Sequence, residues 1–153
     1  MTGSVLLQAI GLILAGILAG EEFIVRYGVQ PALRTLDDRA HIQARVALVR
    51  TLRIVVPAVM LPTVAAAVAV LAVADGPGGA WRWAGFAALV AFLLCSFLGT
   101  VPINMKVIDW SADAPPADWR ATVIRWQRID VLRSSAAIAG FACFAAALAV
   151  QLA

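Results

Sequence analysis

Four long apolar stretches alternate along this chain with short polar segments rich in arginine. Charged residues are absent from Met1 to Gly20, Ile54 to Ala74, Trp83 to Met105 and Ser134 to Ala153. A helix that crosses a bilayer needs about 20 mostly apolar residues. Only helices and closed barrels satisfy their backbone groups inside hydrocarbon. The pattern predicts an all-α integral membrane four-helix bundle, a single domain over residues 1–153, with spans near 4–27, 54–74, 83–105 and 131–152.

Local signals place the ends of these helices. The first should stop near Gly28 and Pro31, because glycine permits a left-handed cap and proline cannot continue the ladder. Asp37 or Asp38 suits the start of the second, whose apolar spacing at Ile42, Val46 and Val49 forms an amphipathic lead-in. Pro57 and Pro62 predict a bend within it. Asp75-Gly-Pro-Gly-Gly reads as a tight turn. The third helix should end around Gly99 to Asn104, and the fourth should begin at Pro115-Pro116. A helix from Pro116 to Leu152 would be about 55 Å long at 1.5 Å per residue, against about 30 Å of hydrocarbon. Helical extensions before the second and fourth spans should therefore project into the cytoplasm.

Composition sharpens the class. The chain is 63% hydrophobic and only 14% charged, with a mean hydropathy of +0.91, whereas soluble domains are about 25% charged. A water-soluble globular fold is excluded. The net charge of +3 would suggest nucleic acid in a soluble protein, but here it reports orientation. Eleven of the twelve basic residues flank the two long connections, and Arg82 alone lies on the other side. The positive-inside rule then predicts both termini outside and both connections cytoplasmic, in the inner (plasma) membrane, with lipids and not nucleic acid as surroundings. The first stretch lacks a basic leader region and reads as a retained span. Cys95 and Cys143 fall within apolar runs, where thiols pack without chemistry.

A few polar residues stand out against this background. Glu21 and Glu22 interrupt the first span, where carboxylates are costly unless paired or functional. Either Glu22 pairs with Arg26 four residues on, at the surface, with Glu21 snorkelling to water, or a carboxylate faces the bundle interior as a proton acceptor. His41 is the sole histidine, which excludes a multi-histidine metal or haem site; with Glu21, Glu22, Asp109 or Asp130 it could still form a carboxylate-rich one, but no Glu-x-x-His or His-x-x-x-His spacing points to a metal. Its place early in a helix predicts an exposed or interfacial ring, open to acid-base work or hydrogen bonding. On the fourth helix Trp119, Thr122, Trp126, Asp130 and Arg133 recur at steps of three or four and share a face, with Arg125 on another. That face either closes a pocket, where Asp130 and Arg133 reach Asn104 and Glu22, or serves as aromatic anchors and an interhelical lock. Gly11, Ala15, Gly16 and Ala19 permit close approach of another helix, within the chain or in a homo-oligomer.

Pro102-Ile-Asn104, Trp110, Pro115-Pro116, Trp119, Arg125-Trp126 and Arg133 together resemble the anthrone oxygenase-like family of small four-helix membrane proteins. The Gly20 to Leu33 stretch is similar to the family's glycine-rich first helix. Asp130 stands where many members carry histidine. The resemblance implies oxidation of a planar lipophilic phenolic or quinone-type compound by molecular oxygen, as an anthrone is converted to an anthraquinone, with no metal or flavin cofactor. Under it Glu22, His41 and Asp130 are base candidates, and Asn104 and Arg133 would stabilise an enolate oxygen. Trp126 would stack on the substrate, with Glu21, Arg26, Trp110, Trp119 and Arg125 as further binding residues. A non-enzymatic role, as an accessory subunit or a binder of lipid or another hydrophobic molecule, accounts for the same polar cluster through interhelical bonds.

Overall fold

The computed structural model describes residues 2–153. It is all-helical, with four helices long and apolar enough to cross a membrane: α1 (Gly3–Arg34), α2 (Asp38–Val73), α3 (Gly79–Val107) and α4 (Trp119–Leu152). The chain is a multi-pass membrane protein. Its large apolar side chains face outward, Leu98 being 77% and Leu61 62% exposed, while Glu22, Arg45, Asp130 and Arg133 are buried. A lipid environment favours this distribution, because outward leucines meet hydrocarbon and polar groups must find partners inside.

Two helices run further than their sequences predict. α1 passes Gly28 and Pro31 and ends at Arg34, and α3 continues beyond Asn104 to Val107. Both use the same device, a π-helical turn two residues ahead of a proline. In α1 the turn covers Val25–Val29 and the Gln30 N–H donates to the Val25 carbonyl. In α3 it covers Cys95–Thr100 and the Val101 N–H donates to the Ser96 carbonyl. The wider turn moves the register forward, so that Pro31 and Pro102, which have no N–H, open a fresh α-helical segment instead of ending the helix.

α2 begins as expected, with the Asp37 carboxylate accepting from the Ala40 N–H at 2.9 Å. It is continuous through Pro57 and Pro62. α4 begins at Trp119, not Pro116, because the Trp119 N–H closes a turn on the Pro116 carbonyl at 3.1 Å. The two prolines lead into the helix from outside it. At one end of the bundle the first turn of α2 is tied to the connection before α4 by an Arg39–Asp113 ion pair and to the first turn of α4 by an Arg120–Asp38 pair.

At the other end Gly76 and Gly78 turn the chain with φ of 91° and 87°. A Cβ at Gly78 would lie 2.6 Å from the Ala147 carbonyl oxygen, whereas one at Gly76 would meet nothing within 4 Å. Both substitutions carry the left-handed penalty of about 1–2 kcal/mol. Gly78→Ala also pushes the turn off α4, so its melting point in detergent should fall clearly below that of Gly76→Ala. Equal losses would show that backbone handedness alone sets the need for glycine.

α1 packs on α2 and α4, and α3 packs on α4, but α2 and α3 meet only sparsely. The bundle is thus closed on three sides and loose on the fourth. One apolar cluster, including Leu18, Met60, Phe92 and Ala137, fills its middle. A second, including Val25, Val46, Ile103 and Trp126, fills the arginine-rich end. Glu22, Ser96, Thr100 and Arg133 lie along their helices between these clusters.

Candidate functional site

Glu22 is fully buried, and its partner is Arg133 of α4 and not Arg26. Arg133 Nε donates to Glu22 Oε2 at 3.0 Å, and a second bond joins Nη2 to Oε1. The remaining nitrogen, Nη1, donates to Thr100 Oγ1 at 3.3 Å, and the guanidinium lies 5.4 Å from the Phe92 ring centroid. One planar fork thereby ties α1, α3 and α4, the geometry that makes arginine the cation for buried carboxylates. Arg26 turns to α4, donating to Ser135 Oγ at 2.9 Å and Ser134 Oγ at 3.2 Å.

The other nominated groups divide around this fork. Asp130 is buried, with Oδ1 at 4.0 Å from Arg133 Nε and without a hydrogen bond among the described residues. Both Glu21 carboxylate oxygens are likewise buried and unbonded. His41, expected at the surface, is 7% exposed. Its ring meets Trp119 edge to face at 5.3 Å, because the first turn of α4 covers that side of α2. His41 Nε2 accepts from Arg45 Nε at 3.2 Å, which fixes the neutral ring with its proton on Nδ1. Trp110 is half-buried at a separate shallow depression of about 240 Å³ beside Arg50. Arg125 is exposed. Among the described residues no group of three or more His, Cys, Asp or Glu side chains converges on a point that would hold a metal ion.

A cavity of about 270 Å³ opens where α2 and α3 fail to close. Leu48, Leu52, Val56, Pro57 and Met60 of α2 form one wall, and Phe97, Val101 and Met105 of α3 form the facing one. The three α3 side chains are also exposed on the bundle's outer surface, so the mouth opens toward lipid. Its polar lining comes from Gln30, Arg45, Arg53, Ser96, Thr100, Asn104, Trp126 and Arg133. Trp126 Nε1 donates to Asn104 Oδ1 at 3.0 Å, which fixes the amide's orientation and leaves its NH2 as a donor without a partner among the described residues. Trp126 also lies under Arg45, whose guanidinium carbon is 5.6 Å from the ring.

Of the sequence candidates, Asn104, Trp126 and Arg133 therefore line one cavity. Glu22 meets its wall only through its bonds to Arg133, and His41 only through its bond with Arg45. Neither a carboxylate nor an imidazole lines it. Such a wall can hold a flat apolar molecule and stabilise negative charge on its oxygen; it offers no side-chain base in direct reach. Taken singly, Gln30, Arg45, Ser96 and Thr100 carry no local sequence signature of a ligand site. One signal was there to read: Ser96, Thr100 and Asn104 recur every four residues, a polar stripe on one face of an apolar helix.

A family model described as anthrone oxygenase matches residues 46–143. The matched stretch contains Asn104, Trp126, Asp130 and Arg133, while Glu22, Gln30, His41 and Arg45 precede it. No curated protein and no solved structure matches the chain.

Proposed function

Because this chain belongs to the anthrone oxygenase family, we propose that it oxidises a planar, lipophilic, enolisable ketone or phenol with molecular oxygen inside the cavity between α2 and α3. The observation that carries this reading is the set of Asn104, Trp126 and Arg133 on one apolar cavity of about 270 Å³. That volume lies near the lower end of the roughly 300–1,000 Å³ usual for small-molecule sites, which suits a compact fused-ring compound better than a phospholipid. The substrate enters from the lipid through the mouth flanked by Phe97 and Met105. The basic connections lie in the cytoplasm and the protein resides in the plasma membrane, as the arginine distribution supports.

In this mechanism the substrate's keto oxygen accepts from the free Asn104 amide and sits beside the Arg133 guanidinium. Donors and positive charge aimed at that oxygen stabilise the enolate over the ketone. The ring CH2 gives one proton to water, and the resulting enolate passes one electron to oxygen. Recombination of the two radicals and protonation form a C–H hydroperoxide. Loss of water then leaves a carbonyl, so that CH2 and O2 become C=O and H2O. Glu22 holds Arg133 in place, and low polarity around the site strengthens each electrostatic contact.

Oxygen uptake by purified protein with anthrone, corrected for protein-free micelles, tests this. Asn104→Ala should lower kcat/KM by about 10–100-fold, the value of one hydrogen bond to a charged oxygen, with an unchanged circular dichroism spectrum. Unaltered turnover in that variant would remove the site. Because no side-chain base lines the cavity, a second reading is a binder or carrier of the same class of molecule. Saturable anthrone binding without uptake above the micelle blank would select it.

A further inference from the structure

The cavity wall carries three guanidiniums, Arg45, Arg53 and Arg133, and no carboxylate. Arg133 is neutralised by Glu22, and Arg53 is exposed at the mouth. Arg45 differs from both. It is only 2% exposed, yet no carboxylate oxygen among the described residues lies within 4.0 Å of it. Its nitrogens find neutral partners instead: Nε donates to His41 Nε2 and Nη2 donates to Gln30 Oε1 at 2.9 Å. Nη1 makes no hydrogen bond with any described residue. Gln30 is itself fixed, since its Oε1 also accepts from Gln127 Nε2 at 3.3 Å.

Buried cations are usually paired, because leaving one uncompensated in a low dielectric is costly. Its direct partners, two neutral acceptors and the Trp126 face, hold this one in position without a bonded carboxylate. Asp130 is the carboxylate whose charge acts on Arg45, through space and without a contact within 4.0 Å, so a pre-oriented guanidinium is left with a spare N–H and no carboxylate bonded to it, which is what an oxyanion requires of its partner. We propose that the cavity takes a planar lipophilic acid, whose ionised oxygen group pairs with Arg45 on the α2 side while its rings lie against Trp126. The inference rests on this cavity as the ligand site, not on the oxidation step. It adds a specificity determinant: an ionised substituent distinct from the keto oxygen that meets Asn104.

Anthracene-2-carboxylate and anthracene-2-carboxamide have the same shape and differ in charge. Their binding to the detergent-purified full chain can be followed by probe fluorescence, each corrected for partition into protein-free micelles. The wild-type protein should bind the carboxylate at least about tenfold more tightly. Arg45→Gln should abolish that preference, while Arg45→Lys should keep part of it. Equal affinity for the two probes in the wild type, which needs no variant, would overturn the proposal. So would a preference that survives Arg45→Gln, or failure of both probes to bind. An intact, Arg45-dependent preference without oxygen uptake upholds it and discards only the oxidation.

Discussion

Glu22→Ala is expected to lose about 3–5 kcal/mol of stability, the usual consequence of removing one partner from a buried ion pair. The loss comes less from broken bonds than from what remains. Arg133 is 6% exposed, and without Glu22 its guanidinium keeps one weak bond to Thr100 and a distant Asp130. A charge at that depth has no water to turn to. The double variant Glu22→Leu/Arg133→Met should regain most of the loss, because two apolar side chains of similar size need no compensation. Unfolding of the wild type and the two variants by sodium dodecyl sulfate in mixed micelles measures the loss and its recovery. An unchanged midpoint for Glu22→Ala would mean that the pair contributes nothing to the fold. A double variant as weak as the single would mean that its role goes beyond charge compensation. The double variant should also be inactive, since Arg133 lines the cavity.

That pair shows how far the sequence could be read. The depth of Glu22 in an apolar run was visible, and so was the cost of leaving it alone. Two cations competed for it: Arg26, four residues away, and Arg133, 111 residues away. Local spacing favours the first, but a carboxylate facing the interior meets the helix packed against it, and only the packing of α1 on α4 decides which arginine is there. The helix ends show a similar limit. Gly28 and Pro31 are sound stop signals, and the Val25–Val29 π-turn overrides them by placing Pro31, which has no N–H to satisfy, in the first turn of a new α-helical segment. His41 is buried rather than exposed for a related reason, since its place early in a helix at the arginine-rich end says nothing of Trp119 lying across it. The four spans were legible because the 20-residue requirement acts on each stretch alone, whereas Arg45 was not. Its position in the arginine count gave it a topological role, and only the gap between α2 and α3 gives it another.

Val56→Trp should eliminate turnover, to below about 1% of the wild-type rate, while leaving the protein as stable as before or more so. Val56 stands on the α2 wall of the cavity beside Pro57 and Met60, half-buried, so an indole there occupies the space meant for the ligand's rings. Filling apolar space between membrane helices adds van der Waals contact, which is what drives their packing in lipid, and nothing polar needs to move. A large loss of function with no loss of fold separates this variant from Glu22→Ala, in which both fall together. Leu98→Trp is its control: Leu98 is 77% exposed on the outer surface of α3, where a tryptophan meets only lipid, and should alter neither property. Oxygen uptake with anthrone, carboxylate binding and thermal melting on the same preparations give the comparison. If Val56→Trp binds the carboxylate and turns over anthrone as the wild type does, the ligand lies elsewhere. The depression beside Trp110 and Arg50 would then be the next place to fill.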